Sequence, residues 1–375
     1  MGEYQYYQFQ AIDKPLSQQA KKEIGQLSSR VELTPYSAEF VYHYSDLRAK
    51  PKDLLAHFDA MFYIANWGST KILFRFPKDM VDIESWQAYL LGDRSIKIET
   101  IGDSVILELN SFDENDSYGW IDDGAYYMPP LAQLREDLLN GDLRILYLSW
   151  LRATQQEWIG EEETVDISEP PVPAGLKTIT EAQKSFVEAF YIDEALLAAA
   201  AQASPAMQAV TPSNKQLQTA ISHLSTDEIT DFMVRLAQGE KGLSMLLRQA
   251  LNPHLPAPSV DTASTRRTLD QLRGLSIGEA NRLKQEEAAC KEAERLKKLI
   301  GFAKRESQMW QEVDSFAQRG TGSGYQKATD LLVDLRELAK HQQTLSTFNQ
   351  RVQKLASTHA KRPALMRRWK EQNLI

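Results

Sequence analysis

The apolar positions of this chain change their spacing along its length, and the changes divide it. In the first 158 residues, short alternating runs are mixed with short helical ones. Tyr4 to Ile12 reads as an aromatic-rich strand stopped by Asp13-Lys14-Pro15, with a helix over about 17–27 behind it. Val31 to Leu33 and Ala38 to Tyr44 read as strands broken at Pro35. Leu54, Leu55, Phe58, Phe62 and Ala65 fall close to helical spacing, which predicts a helix over 53–66. A strand over Lys71 to Phe76 and a short helix opened by Asp82 follow. Ile96 to Ile101 and Val105 to Leu109 alternate like a hairpin joined through Gly102-Asp103-Ser104. Pro129 and Pro130 open a helix closed by Asn140-Gly141, and Leu143, Leu146, Tyr147, Trp150 and Leu151 mark an amphipathic helix directly after it. Strands mixed with helices of this length predict an α+β domain over 1–158.

Residues 159–177 read as an acidic, proline-rich linker, with Glu161, Glu162 and Glu163 ahead of Pro170, Pro171 and Pro173. A helical region spans 178–251, where Thr180 with Gln183 and Ser225 with Glu228 have capping-box spacing. Residues 252–263 hold three more prolines and read as a second linker. From 264 to 375 the pattern is helical. Apolar residues from Cys290 through Leu296, Trp310 and Ala317 recur at spacings of three and four, with one polar interruption at Ser307. After the glycine-rich stretch 319–324, the rhythm resumes from Ala328 through Leu345 to Leu355, interrupted at Gln342. Two such runs joined by a glycine turn predict a long, coiled-coil-like antiparallel helical hairpin meeting near Gly322. Its first arm, from about Gly278 to Gln318, would be ~60 Å long. The expected fold class is an α+β N-terminal domain followed by an all-α C-terminal region.

Charge sharpens this division. The net charge of −8 conceals 22 Lys+Arg against 13 Asp+Glu in 264–375, and 21 against 38 in 1–263. An acidic front and a basic back can attract each other, and the back suits an anionic partner. The lone cysteine, Cys290, excludes an intramolecular disulfide and any zinc site that needs two thiolates from one chain. MGEYQYYQFQ has no leader character, and the longest apolar run, around Ala195 to Ala201, is too short for a bilayer. The expected location is cytoplasmic, without membrane contact.

Candidate chemistry is sparse. Asp113, Glu114, Asp116, Asp122 and Asp123 could attract a hard divalent ion, but they lack EF-hand spacing and read as a solvated loop. Gly320, Gly322 and Gly324 are followed by Tyr325-Gln326 where a phosphate loop has Lys-Ser/Thr, so they read as a helix-connecting turn. The six histidines are scattered, and Cys290 on an apolar seam reads as an inert buried thiol. Tyr4, Tyr6, Tyr7 and Phe9, with Asn66-Trp67-Gly68, could stack on bases; sheet packing is the simpler account. No catalytic, cofactor or metal residue emerges. The segment Lys361, Arg362, Arg367, Arg368, Trp369 and Lys370 stands out, with five cations beside Leu365, Met366 and Trp369. Pro363 disfavours helix at Arg362, which predicts a segment that turns away from the hairpin and docks a partner.

Tyr7-Gln8-Phe9-Gln10-Ala11-Ile12-Asp13-Lys14-Pro15-Leu16 resembles the opening of a family of uncharacterised bacterial proteins. The segments 138–144 (Leu-Leu-Asn-Gly-Asp-Leu-Arg), 147–151 (Tyr-Leu-Ser-Trp-Leu) and 362–365 (Arg-Pro-Ala-Leu) are similar to later stretches of it. That family has no established activity, so the resemblance implies no catalytic residue and no cofactor. It implies protein partners encoded by neighbouring genes, SWIM-type zinc-finger proteins among them. The resulting expectation is a non-enzymatic interaction or adaptor protein of a bacterial multiprotein system. It would bind through its N-terminal domain and its basic hairpin. The alternative is a nucleic-acid-binding accessory protein that acts through the basic C-terminal hairpin.

Overall fold

The computed structural model describes residues 4–92, 95–112, 124–155, 167–207, 213–238, 243–251, 254–255 and 266–375. The chain divides into two compact units, Met1–Ala280 and Asn281–Ile375. The first is α+β and the second all-α, and no helix among the described residues is long and apolar enough to cross a membrane.

The first unit is built on an antiparallel sheet. Its strands are β1 (Gln5–Gln10), β2 (Glu32–Leu33), β3 (Ser37–Tyr42), β4 (Ala60–Ala65), β5 (Ser69–Pro77), β6 (Ile96–Ile101) and β7 (Ser104–Phe112), in the order β2-β3-β1-β4-β5-β7-β6. The β6–β7 hairpin turns through Gly102 at φ +57°, a left-handed conformation that glycine adopts without strain. The helix expected over 53–66 is replaced by a single turn, α2 (Pro51–Leu54), followed by β4 at the centre of the sheet. Every residue of β4 is buried, with Ala60, Phe62 and Ile64 in one core and Met61, Tyr63 and Ala65 in the other. A strand covered on both faces is apolar throughout, so the alternation that identifies half-exposed strands is lost.

The smaller core packs α1 (Gln18–Gly25) against Phe9, Phe40 and Phe58. On the opposite face lie α4 (Met128–Leu131), α5 (Gln133–Leu139), α6 (Arg144–Thr154), α7 (Glu181–Ala189) and α8 (Glu194–Gln202), preceded in the chain by the one-turn α3 (Ile83–Trp86). Every residue of α6 is buried. The described part of the first expected linker packs into this core. Glu169 and Pro170 are buried, and Ser168 and Thr268 form a β-bridge, with the Glu169 amide donating to the Arg267 carbonyl at 2.8 Å. Leu269 and Leu272 belong to the same core, so it gathers residues from 4 to 272 and does not stop at 158. The physical reason is composition: the prolines of 170–173 pack as apolar surface, and a buried ion pair holds the acidic residue beside them. Residues 159–166, 252–253 and 256–263 of the two expected linkers lie outside the described residues.

Three more helices, α9 (Asn214–Ile221), α10 (Thr226–Ala237) and α11 (Leu243–Leu251), complete the helical region. Capping boxes open α7, α9 and α10, those at Thr180 and Ser225 as the spacing implies. The long α12 (Leu269–Lys304) crosses the division between the units. Residues 284–295 are all exposed, and the pairs Arg282–Glu286, Glu287–Lys291 and Glu292–Arg295 line this stretch. A helix that is polar all round draws its stability from such pairs and not from burial. Cys290 is exposed on it, contrary to the buried seam position expected.

The second unit continues with α13 (Glu306–Gln318), α14 (Gly322–His341), α15 (Leu345–Thr358) and α16 (Pro363–Glu371). α13 and α14 form the expected antiparallel pair joined at 319–321, but both arms are shorter than the apolar repeat implies. Helix breaks at Arg305, and again after His341, where Gln343 takes φ +57°. Each break falls beside a polar interruption of the apolar repeat, Ser307 or Gln342. α15 then folds back over Trp310, and Leu345 is 38% exposed. Met309, Val313, Leu332, Leu335, Phe348 and Val352 form the core.

Candidate functional site

The segments that carry the family resemblance sit in packing networks. Asp13 receives a bidentate pair of hydrogen bonds from Arg135 at 2.9 and 2.8 Å, while the amides of Ile12 and Asp13 donate to Asp59. Asp59 in turn pairs with Arg75 at 2.6 Å. Asp142 pairs with Arg144, also at 2.6 Å, and the Arg144 guanidinium reaches the Gly175 carbonyl. These bonds tie the β1–α1 loop and the α5–α6 turn to the helices and strands around them. Nearby, burial and then the neighbouring Asp142 hold the Asp137 carboxyl above its ordinary value, and its buried Oδ2 accepts no hydrogen bond. The folded state therefore favours protonated Asp137. The stability this group contributes is complete below the ordinary aspartate range and is lost as pH rises through its folded value. Asp137→Asn is expected to raise Tm at neutral pH and to leave it unchanged at about pH 3, below the unperturbed aspartate value. Thermal melts at the two pH values check this.

Other candidates resolve as packing. Tyr6, Tyr7 and Phe9 are buried in the sheet, and Asn66 Oδ1 accepts the Tyr4 amide at 3.0 Å. Among the described residues, no group of three or more His, Cys, Asp or Glu is placed to hold a metal ion. The Asp113–Asp123 cluster lies outside the described residues. Gly320, at φ +73°, turns the chain between α13 and α14. Gly324 is required by contact, since a Cβ there would sit 2.8 Å from the Phe316 carbonyl oxygen. On the sheet, Arg30, Glu32, Glu39, Val41 and His43 line an open groove of about 250 Å³. Both carboxylate oxygens of Glu39 are already engaged there, by the Tyr6 hydroxyl and the Gln8 amide.

The strongest feature is the charge of the second unit. From Leu338 to Lys370 the chain carries eight Lys+Arg and no Asp or Glu. A second acid-free stretch, 315–329, holds Arg319 and Lys327. The fold brings the two together at one end of the bundle. Arg362 donates to the Ala317 carbonyl and, at 3.1 Å, to that of Gln318, closing the end of α13. Arg368 donates to Gln326 Oε1 in the first turns of α14. Arg319 and Lys327 both lie over the Phe316 ring, at 4.6 and 5.6 Å. Lys361, in the exposed turn beside Arg362, completes a cluster of five cations around the α13–α14 turn. Elsewhere in the unit, several cations on α12 and α14 have acidic partners, among them Arg282 with Glu286, Lys291 with Glu287, and Arg295 and Lys340 with Glu337.

The structure therefore separates the six residues singled out by charge. Lys361, Arg367 and Lys370 are exposed. Arg362 and Arg368 are half-buried and hold the bundle end together while adding to its charge. Trp369 is fully buried, in one core with Leu365 and Val352. The segment does not turn away from the hairpin: Pro363 sits in the first turn of α16, where it is compatible with helix, and α16 packs on α14. Arg319 and Lys327 were missed because nothing in their local sequence links them to the C-terminal segment. No protein-family model, curated protein or solved structure matches the chain.

Proposed function

We propose that this chain is a non-enzymatic binding protein whose basic bundle end engages a polyanionic partner, in the manner of an adaptor. The convergence of Arg319, Lys327, Lys361, Arg362 and Arg368, drawn from two acid-free stretches, supports this reading. Asp314 and Asp330 flank this end, each taking a hydrogen bond from a glutamine amide (Gln318 and Gln326), and the five cations outnumber them. Like charges in such excess repel one another, and an anionic partner relieves that repulsion. The mixed-charge groove on the sheet offers the first unit a second surface, as an adaptor requires. Retention on heparin resin tests the first half. The double variant Lys327→Glu/Lys361→Glu is expected to elute at markedly lower salt with an unchanged Tm, because both side chains are exposed and outside the core. Elution at the wild-type salt concentration would remove the proposal.

A further inference from the structure

We infer that the partner at the basic bundle end is double-stranded DNA, gripped through its phosphates without reading base sequence. This rests on the polyanion reading above and narrows it. The surface itself discriminates among polyanions. An acidic protein partner would need apolar or aromatic anchors at the centre of the interface. In residues 306–375, Leu345 is the one large hydrophobic side chain that is clearly exposed, while Trp310, Phe348, Leu365 and Trp369 all face inward. Leu345 opens α15, beside the Gln342, Thr344 and Thr347 that border Trp310, so it lies away from the α13–α14 turn. Protein–DNA interfaces, in contrast, are polar and strongly positive.

Single-stranded nucleic acid is bound by aromatic platforms on which bases stack. The two rings beside the cluster, Phe316 and Tyr325, are both half-buried, Phe316 lies under Arg319 and Lys327, and no ring of α15 or α16 is exposed. Duplex RNA is held by contacts spread over two successive minor grooves, about 16 bp. Here the cations gather compactly around one helix–helix turn. They also sit on an end made of several helices, each roughly 10–12 Å across. Such an end is too broad to enter a major groove about 12 Å wide, so the contacts fall on phosphates flanking it. Five cations imply a slope of log K against log salt of about −4.5, or roughly a 500-fold loss between about 50 and 200 mM salt.

Fluorescence anisotropy with a short labelled DNA duplex, titrated against the full chain at several salt concentrations, measures this slope. The duplex is expected to bind with a slope near that value and with similar affinity for unrelated base sequences. The matching single strand, an RNA duplex and poly-glutamate are expected to bind at least tenfold more weakly. Lys327→Glu/Lys361→Glu is expected to flatten the slope by about 2, one unit per phosphate contact. Lys284→Glu/Lys297→Glu, equal in kind but placed on α12, is expected to leave it unchanged. If the double variant fails to fold, Lys361→Glu alone, in an exposed turn, should still flatten the slope by about 1. Single strand, duplex RNA or poly-glutamate binding as tightly as duplex DNA would overturn the choice of partner and leave the polyanion reading standing. Heparin retention without DNA binding would do the same, and loss of both would overturn both.

Discussion

Trp369→Ala is expected to destabilise the second unit by about 3–5 kcal/mol, the usual cost of emptying a fully buried aromatic site. Trp369 is 0% exposed and lies in one core with Leu365, Val352 and Met309. Two further bonds fasten its helix: Arg336 donates to the Gln372 carbonyl at 2.8 Å, and Arg362 closes α13. A loss of that size is a large fraction of the stability of any domain, typically about 5–15 kcal/mol. Hydrogen exchange of the α14 amides would show it as a fall in protection confined to the second unit. The indole Nε1 has no hydrogen-bond partner, and an unmade buried bond costs about 1–3 kcal/mol. Trp369→Phe should therefore lose far less than Trp369→Ala. Protection unchanged in Trp369→Ala would mean that the indole is not part of the core.

The second large effect is expected in the first unit. Arg267→Ala should destabilise it by about 3–5 kcal/mol, since it strands a buried carboxylate. Glu169, 2% exposed, receives two hydrogen bonds from the Arg267 guanidinium at 2.7 Å and one from the Tyr147 hydroxyl. Arg267 also donates to the carbonyls of Ala199 and Ala200 near the end of α8. Burial, then the adjacent Glu169, pushes the Tyr147 hydroxyl above its ordinary pKa, so it stays a donor at all ordinary pH. Glu169→Gln/Arg267→Met removes both charges and should recover most of the loss. Urea melts of the two singles and the double give the coupling as a double-mutant cycle. A double variant as unstable as the sum of the singles would show that the pair is not coupled.

Much of this architecture was legible in the sequence, and the failures share a cause. The capping boxes at Thr180 and Ser225, the Gly102 hairpin and the turn near Gly322 depend on residues a few positions apart, so local spacing revealed them. β4 did not, because its neighbours on both faces are distant in sequence and left it without a polar side. Glu169 and Pro170 have the composition of a linker, and only Arg267, 98 residues away, turns them into core. For the candidate surface, charge alone picked out Lys361, Arg367 and Lys370. It could not sort Trp369 from them, because burial depends on where α14 lies. Nor could it add Arg319 and Lys327, which reach the cluster only through the fold.

The closing of the first core by Leu269 and Leu272 has a kinetic consequence. A strand that pairs early in the chain must wait for a helix that begins more than 260 residues later before its core is complete. Contacts of such long sequence separation slow folding, because the entropy of the intervening chain is lost before they form. During synthesis, at roughly 5–20 residues per second, the sheet would stand for many seconds with its helical face unfinished. The second unit, whose pairs lie mostly within 50 residues of one another, can form almost as soon as it emerges.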